Sequence, residues 1–274
     1  MTDQQERYDR MARGYGRWWA PVLRPSAERL LELVDGELGS GSGVVVDVGT
    51  GTGTLAIAAV RRFPGVTVIA TDASEGMLTA ARREIRDQLA PREAARIELR
   101  QAFADTLPVA DASVDAVISS FVFHLVPSRY RALMDARRVL RPGGRLAYVT
   151  WLAGGREWAP DAILDQALDE AGFGPREVED RPGDVPSVRA ATAQLRRAGF
   201  HDVRAEARQL RYPFTPESYL GFVEEFDEQD AFESMSRRTR ERARRRILEG
   251  LRDLSEEART YRLPIVYATG TRAT

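Results

Sequence analysis

The residues best able to do chemistry lie in one stretch, Val44-Val45-Val46-Asp47-Val48-Gly49-Thr50-Gly51-Thr52-Gly53-Thr54-Leu55. Val44 to Val48 is β-branched apart from one acid, which suits a strand covered on both faces. The glycines at 49, 51 and 53 permit a sharp turn and let a ligand lie against bare main chain, and Leu55 to Val60 has helix-forming composition. A strand, a glycine turn and a helix N-terminus make a nucleotide site. Gly51-Thr52-Gly53-Thr54-Leu55-Ala56 fits the dinucleotide pattern G-x-G-x-x-A, but Asp47 at the strand end suits a pyrophosphate poorly.

A second acid, Asp72, ends the next strand. The two histidines are His124 and His201. His124 follows Phe121-Val122-Phe123 just beyond the fourth strand, at the edge where open α/β sheets bind ligands. It is a candidate general base or acceptor-orienting group, set against a structural histidine in a loop. His201 lies outside any motif and is expected to face solvent. There is no cysteine, and all 40 basic residues are arginine. That excludes disulfides, thiolate zinc sites, cysteine nucleophiles, a Walker A lysine and a Schiff-base lysine. With two histidines no metal centre is expected.

The elements that must position these groups alternate. After the glycine turn come a buried strand at Val66–Thr71, a helix capped by Ser74 and running to about Leu89, and an edge strand at Arg96–Arg100. Val114–Ser120 is the fourth strand. A helix capped by Ser128 is expected to stop at Pro142-Gly143-Gly144 before a fifth strand, Arg145–Trp151. Such βαβ alternation implies a parallel sheet with helices on both faces. Ahead of it, residues 1–43 read as helical: Tyr8 and Tyr15 share a face, Pro21 and Pro25 break the pattern, and Ser26 caps a second helix. These aromatics, with Trp18 and Trp19, are either core packing or a lid. Beyond residue 151 come a Gly-, Pro- and acid-rich stretch around a helix at Asp161–Ala171, and a helix at Val188–Ala198. A strand at Val203–Tyr212, a long polar helical region from Thr215 to about Leu254, and a last strand at Tyr261–Thr269 follow. Pro264 in that strand suits a bulge or an edge. Arg237–Arg246 reads as a solvated helix face rather than a patch for an acidic partner, because acids lie just upstream.

Hydrophobic content of 43% and charged content of 30% are those of a soluble globular protein. A net charge of −1 supplies no overall reason to bind nucleic acid or an anionic membrane. No apolar run is long enough to span a bilayer, and the polar N-terminus lacks a signal-peptide core. A cytoplasmic location is the expectation.

The landmarks together resemble the class I S-adenosylmethionine (SAM) methyltransferases, in the small-molecule branch that includes the ubiquinone/menaquinone C-methyltransferases. The likeness covers about residues 8–151. Tyr8-Asp9-Arg10-Met11-Ala12 and Tyr15 are similar to that branch's N-terminal "YD..A..Y" element, and Asp47, Gly49, Gly51 and Gly53 to motif I. Asp72, the run Leu107-Pro108…Asp115-Ala116-Val117-Ile118-Ser119, Leu140-Arg141-Pro142-Gly143-Gly144 and Leu195…Ala198-Gly199-Phe200 follow in family order. Asp47 then suits a cofactor carrying a sulfonium and an ammonium. One departure is clear: the usual "G-D-A-E-x-L-P" reads Ala102-Phe103-Ala104-Asp105-Thr106-Leu107-Pro108, with Phe103 where the adenine-binding Asp belongs.

The resemblance implies a single α/β domain over 1–274, a Rossmann-like seven-stranded sheet of order 3-2-1-4-5-7-6 with the last strand antiparallel, helices on both faces and a helical cap. Its expected parts are a helical lid (1–40), a SAM-binding core (41–151), cap insertions (152–200 and 213–259) and the last two strands (201–212 and 260–271). The implied cofactor residues are Asp47, Gly49, Thr50, Gly51 and Gly53 on the turn, and Asp72, with the ribose hydroxyls, beside Ala73 and Met77. Tyr15 and Ser119 join them, with Phe103 and Ala104 at adenine. His124 is the expected catalytic residue, and Tyr8, Trp19, Trp151 and Phe214 the expected acceptor contacts. The implied reaction is O- or C-methylation of a small aromatic or enolic acceptor, releasing S-adenosylhomocysteine. Alternatives are a non-methylating rearrangement or cyclisation on the same fold, and a SAM-binding protein without turnover. Neither nucleic acid nor membrane is an expected partner, and monomer or homodimer is left open.

Overall fold

The valine-rich run ahead of the glycine turn forms the middle of a sheet. In a computed structural model, which describes residues 3–39, 41–154, 158–174, 176 and 183–273 (side chains of 3–7 and 10 excepted), β1 (Gly43–Val48) pairs in parallel with β2 (Val66–Asp72) and β4 (Val114–Ser120). β3 (Ile97–Gln101) extends the sheet beyond β2, and β5 (Leu140–Trp151) lies beside β4. β6 (Phe200–Pro213) and β7 (Thr260–Arg272) complete the order β3-β2-β1-β4-β5-β7-β6. β7 runs antiparallel to both neighbours. This is the expected topology. Of the expected cap stretch 152–200, residues 155–157, 175 and 177–182 lie outside the described residues.

Alternation along each strand divides the core in two. Val45, Ala116, Ile118, Ala147 and Val149 pack on one side with α2 (Ala20–Glu32) and α4 (Thr54–Arg62), after α1 (Asp3–Gly14) and ahead of the short α3 (Asp35–Leu38). Ile85 of the next helix, α5 (Glu75–Gln88), and Leu89 just past its end join that side, as does Ile97 at the start of β3, beyond the short α6 (Pro91–Ala94). Val46, Val48, Val117, Leu146 and Tyr148 face the other side, where α7 (Arg129–Val139) lies. Beyond α8 (Ala159–Glu170), α9 (Val188–Arg197) covers β6 and β7 on that same side. α10 (Pro216–Phe222), α11 (Gln229–Ser234), α12 (Arg237–Arg252) and α13 (Glu256–Arg259) follow, and buried residues of α10 to α12 extend the first core through Tyr219, Phe232 and Ile247.

Three local expectations are corrected. The N-terminal break falls at a π-helical turn, Tyr15–Trp19, and not at Pro25. α2 starts at Ala20 with Pro21 in its first turn, carries Pro25 within it, and buries Ser26, so Ser26 caps nothing. The buried face through Val22, Leu23, Ala27 and Leu30 outweighs the one backbone bond that Pro25 removes. α7 ends at Val139, and Leu140 to Gly144 already belong to β5, with a register shift against Val114 and Ala116. The polar region from Thr215 to about Leu254 is helical as expected, in pieces set off by a second π-helical turn, Val223–Asp227, and by Met235 in extended conformation. Pro264 lies one residue past the last β5 pair, opposite Gln209 of β6, and its carbonyl accepts from Leu152 N–H at 3.0 Å.

Candidate active site

The turn after β1 is held by its own groups. Thr50 Oγ1 donates to Asp47 Oδ2 at 2.7 Å, and Gly51 N–H donates to Asp72 Oδ2 at 2.8 Å. The second oxygen of Asp72 accepts from Ser74 N–H at 2.9 Å. Two acids on adjacent strand ends therefore converge on one glycine turn. The glycines serve different ends. A Cβ on Gly49 (φ 69°) would overlap Val122, so this glycine lets the loop after β4 close on the turn. Gly51 (φ 55°) has ordinary contact with the Tyr15 ring, 3.7 Å away, and presents the turn's open face.

Asp47 is 1% exposed, and its Oδ1 has no hydrogen-bond partner among the described residues. Burial pushes this carboxyl up to about 7, against the Thr50 hydrogen bond, and the neighbouring Asp72 adds to the shift. Asp72 is also raised, by burial first, while the amides of Ser74 and Gly51 oppose. An orphaned buried carboxylate oxygen costs stability on its own. A cationic ligand group would satisfy it, and the acid at the end of β2 retains lone pairs for hydroxyls. The residues present therefore fit a cofactor bearing an ammonium, a sulfonium and a ribose.

Tyr15 covers the turn from above, in ring contact with Tyr8 (6.1 Å) and Phe226 (5.8 Å). Burial, reinforced by Tyr8 and Asp72, holds its hydroxyl well above the ordinary tyrosine range. The segment is pinned by Asp9, whose Oδ1 accepts from Ser74 Oγ (2.5 Å) and from Gly76 N–H (2.8 Å) at the start of α5. A carboxylate is favoured at a helix N-terminus. Ser74 thus links Asp9 to Asp72 while its hydroxyl also caps Met77 N–H at 3.0 Å.

The expected acceptor residues are partly brought together. Trp19 lies 6.3 Å from Trp151 and stacks on Phe222 at 5.4 Å. Phe121, held at φ 56°, packs on Trp151 at 4.3 Å. A bulky residue at positive φ is a strained backbone, of the kind found at functional sites. His124 meets the edge of the same Trp151 ring, and its Nδ1 lies 3.2 Å from Thr150 Oγ1. Phe214 joins this cluster through Phe222, at 5.5 Å, on the side of Trp158 and Tyr219. Ser119 is buried with its hydroxyl donating to Val48 O at 2.9 Å. Phe103 is 48% exposed in the turn that follows β3, next to Ala104, and Ala102 N–H binds Asp72 O at 3.0 Å. Ala73 O accepts from Gln101. His201 is exposed, as expected.

Sequence reasoning missed Asp9, Ser74 Oγ, Thr150, Phe222, Glu225 and Phe226 as parts of this neighbourhood. Ser74 was legible as a helix cap; the others meet their partners over separations with no local signal.

Residues 46–148, the stretch from β1 to β5, match the family model described as a methyltransferase domain. The core is a class I SAM-dependent methyltransferase domain. The whole methyltransferase fold aligns with a putative methyltransferase from an antibiotic biosynthesis pathway of Anabaena variabilis, at TM-score 0.58 and 19% identity, over 89% of this chain and 96% of that one. The chain is 33% identical over 156 residues to malonyl-[acyl-carrier protein] O-methyltransferase of Methylococcus capsulatus, covering 56% of this chain and 51% of the relative. It is 38% identical over 144 residues to the ubiquinone/menaquinone biosynthesis C-methyltransferase of Syntrophotalea carbinolica, covering 51% of this chain and 54% of the relative. It thus spans about half the length of these two relatives. Among the described residues, no helix is long and apolar enough to cross a membrane, and no cluster of metal-binding side chains occurs.

Proposed function

We propose that the chain transfers the methyl group of SAM to a small aromatic or enolic acceptor. The observation that carries this reading is the convergence of two buried acids on one glycine turn, Asp47 bonded to Thr50 and Asp72 to Gly51 N–H, with one Asp47 oxygen lacking a hydrogen-bond partner among the described residues. The relatives named above act on an acyl-carrier-bound malonyl group and on quinone precursors by name, which supports a carbon or oxygen acceptor without choosing between them.

SAM supplies a methyl already activated by a sulfonium; the chain's task is placement. Asp47 would hold the cationic amino-acid end, Asp72 the ribose hydroxyls, and Tyr15 would close the turn against water. In-line placement contributes on the order of 7–11 kcal/mol. As the methyl–sulfur bond breaks and the methyl–acceptor bond forms, a hydroxyl acceptor must lose a proton. His124 takes it only in the tautomer whose Nδ1–H donates to Thr150 Oγ1, leaving Nε2 as the base. Thr150 is fully buried, which suits the holding of one tautomer.

Mass spectrometry of a metabolite panel with methyl-labelled SAM tests the reading. One labelled methyl on the acceptor together with S-adenosylhomocysteine is expected; rearranged acceptor of unchanged mass would refute it. With the acceptor known, His124→Gln is expected to lower kcat by about 10²–10⁴ with cofactor affinity nearly intact. Superimposable pH–rate profiles for variant and wild type would remove His124 from the chemistry.

A further inference from the structure

Arg129, the first residue of α7, makes hydrogen bonds that converge from three parts of the chain. Its Nε donates to Phe123 O at 2.9 Å, one guanidinium nitrogen to Gln194 Oε1 on α9 at 3.1 Å, and the other to Gly183 O. All three acceptors are neutral, and burial pushes the guanidinium below its ordinary range. Phe123 O is the carbonyl immediately before His124. Gly183 is equally close to that histidine: a Cβ there would overlap the His124 carbonyl. The strand-like segment from Gly183 to Val185 is fastened in turn to the end of β5. Val185 N–H donates to Trp151 O at 3.0 Å, and Ala153 N–H to Val185 O at 2.8 Å. His124 is therefore held in its ring by Thr150, along its backbone by Gly183, and through the preceding peptide by Arg129.

We propose that Arg129 is the positioning residue of the acceptor site: its guanidinium sets the loop that carries His124 and clamps residues 183–185 against it. The inference rests on the reading of His124 as the group that meets the acceptor. It follows from donor geometry. A planar fork of donors can hold three acceptors at fixed mutual directions; a lysine ammonium is a point donor on a flexible stem. With no lysine in the chain and the three acceptors partly withdrawn from water, loss of the fork leaves carbonyls unpaired, and the loop relaxes. A shift of 1 Å at a catalytic group suffices for a large loss of rate.

The experiment is a double-variant cycle on the full chain, with kcat, acceptor KM, pH–rate profile and calorimetric S-adenosylhomocysteine affinity measured for Arg129→Gln, Arg129→Lys, His124→Gln and Arg129→Gln/His124→Gln. The expected result is a roughly ten- to hundredfold loss of kcat in Arg129→Gln, a displaced acid limb of its pH–rate profile, and cofactor affinity within about threefold of wild type. Arg129→Lys should recover part of the rate. The double variant should be no slower than His124→Gln alone, because a residue acting through His124 has nothing further to lose. Losses that multiply in the double variant, or an unshifted profile in Arg129→Gln, overturn the positioning role while the reading of His124 stands. A silent His124→Gln overturns that reading first, and the proposal with it. If neither Arg129 variant folds, Arg129 is a stability residue and the proposal fails.

Discussion

At Asp47 the chain keeps a carboxylate whose pKa, pushed up to about 7, lies well above the value of about 3.9 in an unfolded chain. The native state therefore retains a proton that the unfolded chain releases near pH 4. This group favours folding at low pH, and its contribution is lost as pH rises through about 7. A cationic cofactor beside the carboxylate favours the charged form and expels the proton. SAM affinity should accordingly rise between about pH 6 and pH 8. Calorimetry in buffers of different ionisation enthalpy should register proton release at pH 6 and little at pH 8.5. Asp47→Asn should abolish both release and slope; a wild-type affinity flat over that range would show that Asp47 binds no cation. Asp47, the glycines and Asp72 were legible in sequence because a strand–turn–helix is local and its special residues are adjacent. The tie between Asp9 and Ser74 was not, since its partners are 65 residues apart. Likewise the Ser119 hydroxyl could be placed at the sheet edge from sequence, but not its engagement by Val48.

Among the elements, the two π-helical turns, Tyr15–Trp19 and Val223–Asp227, pack on each other. They meet face to face through two glycines: a Cβ on Gly14 would overlap Glu225 O, and one on Gly221 would overlap the Trp18 ring. Glu225 accepts from Trp18 Nε1 at 2.7 Å and from Arg17 at 3.0 Å. Both contacts are exposed, and each adds at most about 1 kcal/mol. We expect hydrogen exchange across residues 8–25 to slow when S-adenosylhomocysteine is added. Gly221→Ala should displace Trp18, abolish much of that protection and weaken cofactor binding by about tenfold. Equal exchange with and without ligand in the wild type would make the segment ordinary packing. Periodicity placed Tyr8 and Tyr15 on one face correctly. It misplaced the break, because the prolines outweighed Gly14 and Gly16 in the reading, whereas the π-helical turn falls at those glycines and Pro25 sits in a helix that packing sustains.

For the molecule as a whole, the strand order followed from the strand–helix alternation and the resemblance it carries: β1 and β2 hold runs of β-branched residues, and Ser74 and Ser128 cap the helices that follow β2 and β4. The cap was less legible. Apart from α12 its helices are short, its polar residues are abundant, and its buried positions, such as Tyr219, Phe232 and Ile247, declare themselves only when the partner helices are known.

The position of β7 has a consequence for biosynthesis. Among the described residues β6 pairs with β7 and with no other strand, and β7 leaves the ribosome after the other six strands of the sheet. During translation β6 therefore waits as an unpaired template from residue 213 until residues 260–272 emerge. Its Arg204, Arg208 and Arg211, with Pro213 at the end, are the residue types that discourage a stray strand from docking in that interval. A nascent chain stalled with residue 259 at the tunnel exit should show protease-sensitive β6 and a protected β1–β2 pair. Release of a further dozen residues should protect both, and early protection of β6 would mean that another segment stands in for β7.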